Sequence, residues 1–335
     1  MIDLSICIPT FNRLHCLDKC LESILNSSKN SNLNFEVIVS DNNPLGTASK
    51  IINKYNKLIN INYTINEENV GIGKNIMKAS ILANGKFSWI IGNDDLLLPH
   101  TLNKLDEIFK KNSEIDYFYI NSYNLNSKEL FSPGARFDID KIDEIGKKFS
   151  NFNITKKLNF FELIDPRVSF DFLLGMFLSI YRTEVWKKNL DIIDEKLINN
   201  FNLYSNFDNT CPHVKIFGSA FNKKLCMFYK EPLSINLFGE REWNDLYPFV
   251  ESVRIPQVID YYRYNGMGFL RYYICKNYAL RKLLINFIKI FFMKKYTGSQ
   301  FISLKKDLIK NLIYPIVYIA PFFYLIRKFF KIIKI

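Results

Sequence analysis

Two adjacent carboxylates, Asp94 and Asp95, follow the apolar run Trp89-Ile90-Ile91 after Gly92-Asn93. Carboxylates at the end of a buried strand are costly unless a cation compensates them. A hard divalent ion, Mg2+ or Mn2+, held by one or two carboxylates and by substrate phosphates, supplies such a charge. The alternative is an acidic turn in which an Asp caps the next helix. Asp41 is equally two-sided, because Ser40-Asp41-Asn42-Asn43-Pro44 is also good turn chemistry. Two further polar groups, Thr10 to Arg13 and Asn66 to Asn69, stand after apolar runs in the same way.

Groups at strand ends need a frame that brings those ends together. LSICIPT (4–10), FEVIVSDN (35–42), INYTIN (61–66), FSWIIGNDD (87–95) and IDYFYINSYNL (115–125) read as strands. Between them, 17–27, 47–58, 71–84 and 98–112 read as helices, the third with a glycine-rich start and an Asn-Gly stop. This order predicts an α/β domain with a Rossmann-like, mostly parallel sheet flanked by helices. Ligands bind such sheets beyond the carboxyl ends of the strands, where all four polar groups fall. Further on, 126–160 reads as a polar loop or flap and 168–186 as a strand plus turn. The centre of 195–220 reads as loop, 223–236 as a strand or hairpin, and the chain after about 250 as mostly helical.

The 335 residues are 48% hydrophobic and 23% charged, which excludes a disordered chain, a collagen or a coiled coil. That length holds about two domains. No 18-residue apolar run predicts a membrane-spanning helix. The six cysteines lack metal-ligand spacing, and MIDLSICIPTF reads as a buried strand rather than a secretion signal, so a reducing cytosol is expected. The net charge of +12 is uneven: residues 261–335 hold 15 Lys/Arg against one acid, Asp307, while the first 260 hold 30 against 32.

SICIPTFNR (5–13), VIVSDNN (37–43), NEENVGIGKN (66–75) and WIIGNDD (89–95), in this order and spacing, resemble the nucleotide-sugar glycosyltransferases of family 2, which have the GT-A fold. The resemblance covers about residues 1–240 and is most like the abequosyltransferase-like branch that builds O-antigen repeat units. It implies that Pro9, Thr10, Asn12 and Arg13 meet the nucleotide and that Asp41 contacts base or ribose. It implies that Asn69, Gly71, Lys74 and Asn75 approach the diphosphate. It also implies that Asn93 and Asp94 belong to the donor site and that Asp94 and Asp95 bind Mg2+ or Mn2+, with Asp95 as direct ligand. The family often has Asp-x-Asp; here Gly92 or Asn93 replaces its first acid.

Transfer to an acceptor hydroxyl needs a general base. Family 2 enzymes mostly invert and use a carboxylate in the second half of the domain. Their usual Glu-Asp pair is absent. Asp208 in NFDNTCPH is the nearest candidate, with His213 beside it and Asp171 in SFDFLLG as rival. A turn-capping role for Asp208 and a packing role for His213 are the plain alternatives. Trp243 is a candidate for the acceptor side.

The basic tail divides the chain into a GT-A domain, 1–250, and an extension, 251–335, with 1–100 as nucleotide-binding half and 126–250 as acceptor half. The uncharged run 312–326 spans about 22 Å as a helix, short of the roughly 30 Å hydrocarbon core, and contains Pro315 and Pro321. It suits in-plane or re-entrant attachment, with lysines on anionic headgroups. The expectation is therefore an inverting transferase, peripheral or monotopic at the cytoplasmic face of the inner membrane. Its donor is a nucleoside diphosphate sugar, and its acceptor is a polyprenyl-diphosphate-linked saccharide. Protein, capsule or lipooligosaccharide acceptors are the alternatives, as is a non-catalytic nucleotide-binding scaffold. A near-neutral folded part argues against a nucleic-acid partner.

Overall fold

Strands β1 (Leu4–Thr10), β2 (Phe35–Asp41), β3 (Ile61–Ile65), β4 (Phe87–Ile90), β5 (Asp95–Leu97) and β6 (Tyr117–Asn126) alternate with helices α1 (Leu14–Ser28), α2 (Ser49–Tyr55), α3 (Ile72–Ile81) and α4 (Thr101–Lys111). The computed structural model describes residues 1–133, 137–200, 202, 204–239 and 244–333; Trp243 lies outside the described residues. β7 (Lys147–Lys148), β8 (Lys156–Asn159), β9 (Ser179–Arg182) and β10 (Leu225–Phe238) complete one ten-stranded sheet. Its order is β3-β2-β1-β4-β9-β6-β10-β5, with β7 on β6 and β8 on β10.

The first four strands are parallel. β1 is covered on both faces, so the consecutive Ile6, Cys7 and Ile8 are all buried rather than alternating with exposed residues. Register sets Thr10 beside Asp41, and Asp41 beside Ile65, at one edge. β9 enters antiparallel between β4 and β6 and so carries its own N-terminus to that same edge. The Trp89 indole fixes it there by donating to the Phe177 carbonyl at 2.8 Å.

Two stretches differ from the sequence expectation, and a third is resolved between its alternatives. Among the described residues of 195–220, Glu195–Ile198, α5 (Phe207–Thr210) and α6 (Pro212–Ala220) are helical, so helix takes up more of the stretch than the expected loop allows. Pro212 in the first turn of α6 is a start signal that needs no N–H partner there. The 126–160 stretch forms β7 and β8. A small apolar cluster pins it, in which Ile142 packs with Tyr123, Leu125 and Leu237. The expected strand or hairpin at 223–236 is the single 14-residue strand β10, with Pro232 at a register shift, where its missing N–H is tolerated.

The last part folds as α7 (Ile255–Tyr264), α8 (Phe269–Leu280), α9 (Leu283–Phe292) and α10 (Ile316–Ile333). α7 and α8 give Val258, Ile259, Tyr262 and Cys275 to the main core, while Leu283, Phe287 and Val317 form a second cluster around Phe249. Among the described residues, no helix is long and apolar enough to cross a membrane.

Candidate active site

At the end of β2, Asp41 is fully buried. Its Oδ1 accepts from the Asn43 N–H at 3.0 Å, and its Oδ2 from the Tyr63 hydroxyl at 2.9 Å and the Ala48 N–H at 3.2 Å. Burial and, less strongly, the Asp41 charge push the Tyr63 phenol up to about 12, so it remains a donor. Asp41 therefore holds the 42–48 loop as an internal anchor; being fully buried, it meets base or ribose only if that loop opens. The next residue, Asn42, ties that loop to the 66–75 segment. Its amide donates to Asn69 Oδ1 at 2.7 Å, and its Oδ1 accepts from the Val70 N–H at 2.9 Å.

Asn75 locks α3 to the sheet by accepting from Ser40 Oγ at 2.7 Å and donating to the Ser40 carbonyl at 3.1 Å. Gly71, with φ of 80°, opens α3 in a backbone conformation that favours glycine. At Gly73, a Cβ would meet the Asn209 carbonyl at 2.7 Å, so glycine lets α5 seat directly on α3. Lys74 is half-buried and makes no ion pair among the described residues. The N-terminus of α3 thus offers unpaired N–H groups and a lysine to an anion.

After β1, Asn12 and Arg13 both adopt left-handed backbone, φ 54° and 47°. Such strain in non-glycine residues costs on the order of 1–3 kcal/mol each and persists where other contacts enforce it. Asn43 donates to Asn12 Oδ1 at 2.9 Å, and the Arg13 guanidinium donates to Asp94 Oδ2 at 2.9 Å. Pro9 lies within β1, opposite Ser40.

The turn between β4 and β5 carries the acids. Asn93 is fully buried; its amide donates to Thr10 Oγ1 at 2.8 Å, and its Oδ1 has no partner. Asp95 Oδ2 accepts from the Gly92 N–H at 2.6 Å, and Oδ1 from the Asn236 amide at 2.7 Å. Both oxygens of the expected direct ligand are therefore engaged in holding the turn. Asp94 Oδ1 receives no hydrogen bond among the described residues and lies over Gly92, where a Cβ would come within 2.4 Å of it. Among the described residues, no cluster of three or more His, Cys, Asp or Glu could hold a metal alone. A Mg2+ or Mn2+ ion needs only one or two carboxylates when substrate phosphates complete its shell. The open Asp94 oxygen fits that requirement, and the oxygen of the adjacent residue Asn93 is a further acceptor without a partner.

The three candidate bases separate. Asp208 is buried; Lys215 donates to its two oxygens at 3.0 and 2.8 Å, and the Asp194 N–H donates to Oδ2 at 2.7 Å. A carboxylate so clamped is a structural anchor. His213 is buried too, its Nε2–H donating to the Leu174 carbonyl at 3.0 Å, while Nδ1 has no partner. Desolvation lowers its pKa from 6.5 to about 4, so it is a poor base and a packing residue against Phe217. Asp171 grips the same loop from the other side, accepting from the Gly175 N–H at 2.6 Å and from Ser169 Oγ at 3.0 Å. Desolvation raises its carboxyl above the ordinary value, against the lowering effect of those bonds. The loop turns through left-handed Phe172 and Leu173, φ 55° and 71°, and runs into β9 at the site edge.

The His213 shift has a measurable consequence. Its neutral form is favoured by folding, so that contribution is complete above pH 6.5 and is lost as pH falls towards about 4. A shift of that size amounts to about 3 kcal/mol. In chemical denaturation, His213→Asn is expected to flatten the fall in stability across this window; an unchanged profile would contradict the assignment.

Sequence reasoning missed Tyr63 and Asn236, and gave Asn42 no task of its own. Tyr63 sits at an inner position of a short strand, and Asn236 pairs with Asp95 over a separation of 141 residues that no local spacing reveals.

The fold, with its polar strand-end edge, is of the GT-A type. Residues 5–165 match the model of glycosyl transferase family 2, and the chain carries a domain of that family. Abequosyltransferase RfbV of Salmonella typhimurium is 29% identical over 236 residues, 69% of this chain and 66% of that protein. The GalNAc(5)-diNAcBac-PP-undecaprenol beta-1,3-glucosyltransferase of Campylobacter jejuni is 33% identical over 169 residues, 47% of this chain and 52% of that protein. The chain thus matches between about half and just under two thirds of the length of these two relatives. Among solved structures, S. aureus TarS 1–349 in complex with UDP superposes with a TM-score of 0.56 at 17% identity, covering 84% of this chain and 71% of that one. This last likeness is one of fold.

Proposed function

We propose that the protein transfers a hexosyl or deoxyhexosyl group, with inversion, from a nucleoside diphosphate sugar to a polyprenyl-diphosphate-linked saccharide in O-antigen or similar surface polysaccharide synthesis. The observation that carries this is the Arg13–Asp94 pair beside the open Asp94 oxygen, at the edge where β1, β2 and β4 end in a family 2 frame. The O-antigen and undecaprenol-linked relatives support the acceptor class.

Transfer breaks the bond between the anomeric carbon and a phosphate oxygen while the acceptor oxygen attacks from the opposite side. Negative charge grows on the leaving diphosphate. Arg13, Lys74 and the N-terminus of α3 meet that charge. A Mg2+ or Mn2+ ion held by Asp94 would add Lewis-acid stabilisation. Asp95 keeps the turn in shape through Gly92 and Asn236. Asn69 and Asn75 fix the segment that faces the diphosphate. Asp171 takes the acceptor proton, because a carboxyl raised by desolvation is a stronger base than an ordinary one. Residues 1–250 act as the catalytic domain, and residues 251–335 attach it, as a peripheral or monotopic protein, to the cytoplasmic face of the membrane that holds the acceptor.

A thermal-shift panel of nucleoside diphosphates, with and without Mn2+, tests the donor site. A ligand at 100 times its dissociation constant adds about 2.7 kcal/mol of stability. One nucleotide is expected to stabilise the protein clearly, and more so with Mn2+. No shift with any nucleoside diphosphate would overturn the reading.

A further inference from the structure

The large apolar side chains that the fold leaves exposed are concentrated in the last quarter of the chain. On α8, Phe269 is 68% and Leu270 73% exposed; ahead of α10, Ile313 is 78% exposed. Tyr318 and Phe322, one turn apart on α10, are 54% and 62% exposed. Aromatic contacts join the two helical segments, since Phe269 lies 6.4 Å from Tyr273, and Tyr273 lies 6.1 Å from Tyr314. Such an exposed patch marks an interaction surface.

Its charge identifies the partner. Lys305, Lys306 and Lys310 are exposed among exposed Leu304 and Ile309. Asp307, the one acid after residue 260, is buried, accepting from the Gln257 amide at 3.1 Å and the Ser303 N–H at 2.8 Å. Asp260, at the border, is paired with Lys276 at 2.8 Å. The described surface is therefore apolar and positive, with Asp307 drawn inward and Asp260 neutralised by Lys276. A second copy of this chain would set two positive faces against each other. Nucleic acid would leave aliphatic Leu270 and Ile313 without a match. We infer that the face built by α8, the 304–313 segment and α10 docks on an anionic lipid bilayer, its apolar side chains entering the headgroup boundary and its lysines meeting lipid phosphates. Gln257 also accepts from Arg254 at 2.7 Å, and Arg254 donates to the Tyr204 carbonyl at 2.7 Å beside α5, so a buried chain of bonds ties this face to the acceptor half. The inference deepens the proposed function: it rests on that reading for its purpose, a lipid-borne acceptor, but not for its geometry.

The test is sedimentation of the full chain with phosphatidylglycerol-containing vesicles or pure phosphatidylcholine vesicles, at low and high salt. The wild type is expected to pellet with the anionic vesicles and to be released only in part by salt. The triple variant Lys305→Glu/Lys306→Glu/Lys310→Glu is expected to lose on the order of a hundredfold in affinity at low salt. Phe269→Ser/Leu270→Ser/Ile313→Ser is expected to lose the binding that survives high salt. Both variants should keep the wild-type melting temperature and nucleoside diphosphate shift. Vesicle binding without any nucleotide shift would sustain the docking face and sink the proposed function. Three results would overturn the docking face. They are a wild type that stays in the supernatant with every vesicle, one that forms a dimer which Phe269→Ser/Leu270→Ser/Ile313→Ser dissociates, and one that binds duplex DNA in preference to vesicles.

Discussion

Asp94→Asn is expected to leave a folded protein that has lost its Mn2+-dependent stabilisation by nucleoside diphosphate and on the order of 10²–10³ of its transfer rate, the scale of removing one electrostatic group from a reacting site. The fold survives because the Arg13–Asp94 pair is only partly buried, with side-chain exposures of 26% and 11%, and pairs of that kind contribute about 1 kcal/mol or less. Asp95→Asn is a different experiment. Asp95 accepts from both the Gly92 N–H and the Asn236 amide, and an Asn side chain turns a donor towards one of them. That mismatch costs about 1–3 kcal/mol, so Asp95→Asn should lower the melting temperature as well as activity. If folded Asp94→Asn kept its rate and its Mn2+ response while Asp95→Asn lost only the Mn2+ response, the ligand would be Asp95.

Asp171→Asn carries the second large effect. A general base contributes about 10²–10⁴-fold, so transfer should fall by that order while nucleotide binding stays intact. The base acts as carboxylate, and desolvation raises its pKa above the ordinary 3.8. The wild-type rate should therefore decline on the acid side at a higher pH than an ordinary aspartate would give, and Asp171→Asn should lose that limb. The same shift means that the folded state favours the protonated form. The contribution of Asp171 to stability is fully present below 3.8 and diminishes as pH rises through the raised value. Asp208→Asn should act mainly on stability, because it weakens the acceptor for Lys215, whose side chain is only 18% exposed. Full activity in Asp171→Asn with a 10²-fold loss in a stable Asp208→Asn would reverse the assignment.

The parallel half was legible because local signals agree with the global arrangement there. Apolar runs, helical stripes and polar strand ends recur in order from β1 to β6, and the register that aligns Thr10 with Asp41 follows from equal strand lengths. The second half was not. Single helical turns such as α5 have no period to read, and α6 is too short to show more than two turns. The candidate residues were legible as types, but their tasks depend on distant partners. Lys215 turns Asp208 into an anchor, Tyr63 closes Asp41, and Asn236 engages Asp95. The exposed face after residue 263 was visible as composition, whereas the inward turn of Asp307 was visible only in three dimensions.

The proposed reaction is transfer of a sugar from a nucleoside diphosphate donor to a lipid-linked saccharide. Its most direct test is incorporation of label from a panel of radiolabelled nucleoside diphosphate sugars into polyprenyl-diphosphate saccharides by the purified full chain, with Asp94→Asn as control. Label is expected in the lipid fraction from one donor, with release of one nucleoside diphosphate per sugar transferred, and lower by on the order of a hundredfold or more from Asp94→Asn. Labelled lipid from no donor, by a protein whose melting temperature the same nucleotides raise, would contradict it and leave a nucleotide-binding protein without transferase activity.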